Sequence, residues 1–161
     1  MKKPVSQEFK VIDILYPKID FNLEPRTGEL DLKQAFRGDV VIKDSRKVAV
    51  RFGVALFENK KEENNNNASP VKAIVEAIGL IEFKKALGKI KNVNEIPLIA
   101  NILALLYPFL REKINYCFSN NKIPMLLPPL NVIDLLHNAG DSFKVTDTRK
   151  TISTRKKLKK D

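Results

Sequence analysis

A chain of 161 residues, 43% hydrophobic and 30% charged, has the length of one domain with a modest core. Its single cysteine and single histidine exclude an intramolecular disulfide and a Cys/His metal site. The formal net charge of +10 suggests nucleic acid, but residues 149–161 hold seven Lys/Arg and one Asp, leaving only +4 on the preceding 148 residues.

The opening MKKPVSQEFK has no apolar run behind its lysines, so no signal peptide is expected and a soluble, cytoplasmic protein is. Phe9 to Leu23 alternates apolar and polar residues and contains Pro17, which cannot donate to a neighbouring strand. It reads as a long strand, or a strand pair bent at Pro17, near a sheet edge. After a turn at Glu24–Gly28, Leu30 and Leu32 begin a second extended stretch. Phe36-Arg37-Gly38-Asp39 interrupts it before Val40–Ile42, and a bulge at Gly38 accounts for that. Lys47 to Phe57 is the cleanest strand, with Val48, Val50, Phe52, Val54 and Leu56 on one side. Glu58 to Ser69, with its Asn run, is a polar hairpin tip. Val71 to Phe83 returns as a fourth strand; a helix is possible there, but its β-branched density favours strand.

Lys84 to Val93 is a basic connector, and Asn94 or a neighbour could cap the helix that follows, with Pro97 in its first turn. Between Glu95 and Arg111 lie fifteen uncharged residues, apolar on nearly every helical face. A membrane span needs about twenty apolar residues, and Pro97, Asn101 and Pro108 interrupt this run. The segment is therefore a buried helix, and its all-round apolarity calls for a second subunit as cover. Asn120-Asn121-Lys122 ends it. Ile123 to Leu130, IPMLLPPL, is then an apolar loop whose three prolines bar both helix and central strand. It either packs on its own sheet or offers side chains to a ligand. Asn131 to His137 forms a short amphipathic helix closed near Gly140. The expectation is an α+β domain over residues 1–140, a four-stranded antiparallel sheet followed by a long and a short helix on one face. Residues 141–161 are expected to be a basic, disordered tail.

LLYPFLREKI (Leu105 to Ile114) followed by IPMLLPPLNVIDLL (Ile123 to Leu136) resembles the protein-export chaperone SecB and its SecB-like relatives. The matching positions are Leu106, Tyr107, Pro108, Phe109, Arg111, Glu112, Ile114, Pro124, Leu126, Pro129 and Asn131. Ile123 and Val132 stand where aromatics are usual, and one residue fewer separates Pro124 from Pro129. With the strands, the resemblance spans about residues 9 to 138. It implies a homotetramer, a dimer of dimers in which two sheets sandwich the long helices. It also implies a crossover near Phe36 that borders a groove for unfolded polypeptide clients. The groove residues it implies are Phe36, Tyr107, Phe109, Met125, Leu126, Leu127, Leu130 and Val132. Relatives associated with toxin–antitoxin systems protect one antitoxin, so a dedicated partner is the alternative to general holding.

The residues themselves offer no catalytic constellation, no phosphate-cradling glycine pattern and no cofactor site, so no enzyme is expected; the resemblance implies an ATP-independent holdase. The prolines of the loop would stiffen an apolar surface that Met125 and the leucines make adaptable. Arg111-Glu112 reads either as a structural pair or as a client contact. In SecB the export ATPase docks a basic tail on an acidic sheet, and this mildly basic body with its own basic tail argues against that partner. Nucleic acid binding by residues 149–161 would be salt-sensitive and, lacking aromatics, blind to sequence; it ranks below the client reading.

Overall fold

Strict alternation at the middle of the chain sets up the sheet. In β3, Lys47–Glu58, the side chains Val48, Val50, Phe52, Val54 and Leu56 are all buried on one face, as their period of two requires. The computed structural model describes residues 8–22, 31–58, 72–123, 127–139 and 143–149. β1 is Phe9–Asn22, β2 is Leu32–Ile42, β4 is Lys72–Phe83 and β5 is Lys144–Asp147; the sheet order is β1-β4-β3-β2-β5. The β2–β3 turn is held by Asp44, whose Oδ1 accepts from the N–H groups of Arg46 (2.7 Å) and Lys47 (2.8 Å). Those hydrogen bonds hold the Asp44 carboxyl below the usual carboxylate range.

The helices α1, Ile99–Asn120, and α2, Val132–Ala139, follow the first four strands, and α1 packs on β4 and β3. Its inward positions Ile99, Ile102, Leu103, Leu106, Leu110, Ile114 and Phe118 are buried and join the β3 and β4 side chains in one core. Leu106 sits over Gly79 of β4. The arrangement is the α+β layer structure expected, with both helices following the first four strands. Among the described residues, no helix is long and apolar enough to cross a membrane, and no cluster of His, Cys, Asp and Glu could hold a metal ion.

Four details differ from the sequence reading. First, the sheet is mixed and has five strands, because Lys144–Asp147 pairs in parallel with Asp39–Ile42 of β2. Residues 143–149, assigned to the tail, are therefore part of the body; only their pairing with a segment a hundred residues away reveals it. Second, β2 runs in unbroken register with β3 from Leu32↔Glu58 to Ile42↔Val48, with neither bulge nor crossover at Gly38. Gly38 is instead where the Phe143 ring packs against the backbone, and any Cβ there would overlap that ring. Irregular pairing falls in the edge strand β1, between Val11 and Asp13 and between Leu15 and Lys18 around Pro17.

Third, α1 begins at Ile99, not at Glu95. Asn92 caps a single 3-10 turn, Val93–Glu95, accepting the Glu95 N–H at 3.2 Å while the Glu95 carboxylate accepts the Lys91 N–H at 2.7 Å. Pro97 pushes Ile96 into extended backbone (ψ 122°), so the chain turns through Leu98 at φ 56° before the helix can start. Fourth, Cys117, which its helical spacing places on the apolar face as a buried thiol, is only half-buried; burial still pushes its thiol up against the opposing Lys113 charge.

The outer face of the sheet carries the one buried charged side chain among the described residues, Glu76 at 2% exposure. It is paired with Arg37 across β3, where the facing residue is Gly53. A Cβ at Gly53 would crowd both partners, at 3.1 Å from Glu76 Cγ and 3.3 Å from Arg37 Cγ. Glycine leaves the opening through which the two charges meet.

Candidate functional site

The proline loop is held against α1 by two helix side chains. Tyr107, buried on the inward flank, donates its phenol hydrogen to the Pro128 carbonyl at 2.6 Å. Burial pushes the Tyr107 hydroxyl up, opposed by the nearby Arg111 charge. Eight residues on, Asn115 Oδ1 accepts the Leu127 N–H at 3.1 Å. A backbone rich in proline cannot place these groups in a sheet, so side chains of the helix satisfy them instead. Leu127 between them is fully buried.

Both ends of this loop are closed by capping geometry. At the end of α1, Lys122 takes φ 57°, its N–H bonds to Ser119 O (3.0 Å) and the Ile123 N–H bonds to Phe118 O (3.0 Å). This is the Schellman arrangement, with Ile123 and Phe118 both buried beneath it. At the start of α2, Asn131 Oδ1 accepts the N–H groups of Ile133 (3.1 Å) and Asp134 (3.3 Å), and its amide donates to Asp134 Oδ2 at 2.7 Å. Leu135 and Leu136 then face inward and Ile133 outward.

The expected groove residues fall into distinct places. Tyr107, Leu127 and Val132 are buried, and Leu130 is half-buried against the core. Phe36 on β2 is half-buried and stacks on Phe52 with ring centroids 6.1 Å apart. Phe109 lies on the other flank of α1, 36% exposed, in line with Leu105 (37%) and Tyr116 (64%). Met125 and Leu126, with Pro124, lie outside the described residues. Arg111 is half-buried and Glu112 exposed.

Two participants escaped the sequence reading. Asn115 was signalled only as a lone polar residue in line with Tyr107. Phe143 was signalled only by its spacing from Val145; its ring lies 6.3 Å from Phe52, so Phe36, Phe52 and Phe143 form one aromatic row. Lys113 also ties α1 to β1, its Nζ 5.2 Å from the centre of the Tyr16 ring.

No family model matches the chain. An uncharacterized protein of Methanocaldococcus jannaschii, MJ0357, is 33% identical over 154 residues, covering 93% of this chain and 96% of that one. Among solved structures, the Mycobacterium tuberculosis Rv1957 SecB-like chaperone, in complex with a ChAD peptide from the Rv1956 HigA1 antitoxin, superposes with a TM-score of 0.57. The identity is 18%, over 77% of this chain and 88% of that chain. The fold is thus shared with a SecB-like chaperone.

Proposed function

Because the chain belongs to the family of the Methanocaldococcus jannaschii protein MJ0357 and has the fold of a SecB-like chaperone, we propose that it is an ATP-independent holdase, not an enzyme. It holds unfolded or aggregation-prone polypeptide by apolar contacts. The observation that carries this reading is the proline loop clamped to α1 by Tyr107 and Asn115. A holdase needs apolar side chains that keep their place without a client and do not add strands to a neighbour. A stiff loop anchored through its own backbone provides that. In this reading Phe36, Leu130, Met125 and Leu126 touch the client. Tyr107, Leu127 and Val132 form the scaffold behind them, and Phe109 borders the surface from the outer flank.

The exposed row Leu105, Phe109 and Tyr116, and the edge strand β1 with exposed Ile12, Leu15 and Ile19, favour a homotetramer. Light scattering would then give about four times the 18.3 kDa chain mass. The direct test of function is aggregation of a chemically denatured client. Near-complete suppression is expected at one tetramer per client, and unchanged aggregation at a several-fold excess rejects the holdase.

A second reading, a chaperone dedicated to one partner such as an antitoxin, is favoured by the peptide in the neighbouring fold's complex. Suppression of one client among a panel of unrelated denatured proteins would select it. Suppression across the panel would select general holding.

A further inference from the structure

The outer edge of β2 is only partly used. β5 covers four of its eleven residues, Asp39 to Ile42. Among the described residues, β3 pairs with the inner side of the stretch from Leu32 to Gly38 and no strand pairs with its outer side. What β5 brings is short and mostly superficial. Lys144 and Thr146 are exposed, Val145 is half-buried, and the one deeply buried side chain of the segment is Phe143. Phe143 enters a slot that Gly38 opens beside Phe52, a ring that also stacks with Phe36. Val145 stands opposite Val40 on the same face.

A polar latch closes the segment. Thr148 bonds to Ile42 O through its N–H (3.1 Å) and its hydroxyl (2.7 Å). Arg149 pairs with Asp147 and donates to the carbonyls of Leu87 and Gly88, each at 2.9 Å. The bond to Gly88 is exposed and the other side-chain bonds are half-buried; each such bond contributes only about 1 kcal/mol net, because water replaces it when it opens.

From this geometry we infer that the β2 edge is a strand-addition site for extended polypeptide carrying an aromatic residue followed two positions later by a β-branched one, and that β5 is its resident, displaceable strand. The inference rests on the holdase reading and names the client chemistry for it. Main-chain bonds along the edge supply affinity whatever the client's sequence, and the Gly38 slot reads the aromatic. An incoming strand has the advantage of length, since it can pair along all of β2 where β5 pairs along four residues. Displacing β5 also places the client beside Phe36, so the edge and the proposed groove residue act on the same chain.

The test uses the full-length protein and a fluorescein-labelled hexapeptide, FKVTDT, copied from Phe143 to Thr148. Fluorescence anisotropy should show weak binding to the native protein and at least tenfold tighter binding to Phe143→Ala, in which the resident strand is loosened. A peptide with serine in place of the phenylalanine should bind at least tenfold more weakly than FKVTDT. A second variant keeps the native slot filled: Val41→Cys with Thr146→Cys, at facing register positions, in a Cys117→Ser background. Oxidised, it should lose peptide binding and suppress client aggregation less; reduced, it should recover both. Equal peptide binding by the oxidised and reduced forms overturns the inference, as does equal binding of the serine peptide. A locked form that suppresses aggregation as fully as the reduced one removes the edge from client holding while the holdase reading stands. Failure of every form to suppress aggregation rejects the holdase reading itself.

Discussion

The two flanks of α1 are made of similar residues and are used in opposite ways. The inward flank presents Leu106, Tyr107 and Leu110, all buried, and its polar atoms at Tyr107 and Asn115 are bonded to the proline loop. The outward flank presents Leu105, Phe109 and Tyr116 to solvent, with no aromatic or ion pairing among the described residues. Hydropathy alone does not separate Tyr107 from Phe109. Two positions along a helix turn a side chain through about 200° around its axis, and one side meets the sheet. The inward flank therefore sets stability, and the outward flank is available for assembly.

Truncating the inward flank should have the largest effect. Leu106→Ala opens a cavity over Gly79 and should cost about 3–4 kcal/mol in urea unfolding; a cost below about 1 kcal/mol would mean that the helix is not seated there. Next, Asn115→Ala leaves the Leu127 N–H without its acceptor and should cost about 2 kcal/mol, whereas Asn115→Asp retains an acceptor and should recover about half of that. Hydrogen exchange at Leu127 reads this directly, and equal protection in both variants would break the assignment of the clamp. Tyr107→Phe removes only the bond to Pro128 and should cost about 1 kcal/mol, with the fold unchanged by circular dichroism.

Lys122→Gly should act in the opposite direction. A left-handed residue at the end of α1 suits glycine, and the substitution should stabilise by about 0.5–1 kcal/mol; any loss would show that the Schellman turn is not formed in solution. On the outward flank, Phe109→Lys should change the stability of the fold by less than about 0.5 kcal/mol at low protein concentration. The same variant should lower the mass measured by light scattering at high concentration. A large loss of stability with no change of mass would reverse the comparison between the flanks.

Much of this was legible in the residues. The alternation of Val48, Val50, Phe52, Val54 and Leu56 fixes a strand and its buried face, because a period of two has one structural meaning. The uncharged run before Arg111 fixes a buried helix, and three prolines in eight residues fix a loop outside the sheet. The likeness to SecB around Tyr107 and Asn131 anticipated the fold, and Asn131 proves to be the cap of α2. Tertiary structure decided the rest. Lys144–Asp147 is too short to announce itself as a strand, and its parallel partner lies a hundred residues earlier, so no local pattern could place it. The same holds for Gly38, which looks like a bulge in its own strand and serves as the floor beneath Phe143. It holds also for Tyr107 and Phe109, equivalent by composition, which the sheet divides into a buried anchor and an exposed side chain. Local sequence sets periodicity and backbone freedom; which face is covered, and by what, depends on contacts between distant segments that exist only once the chain has folded.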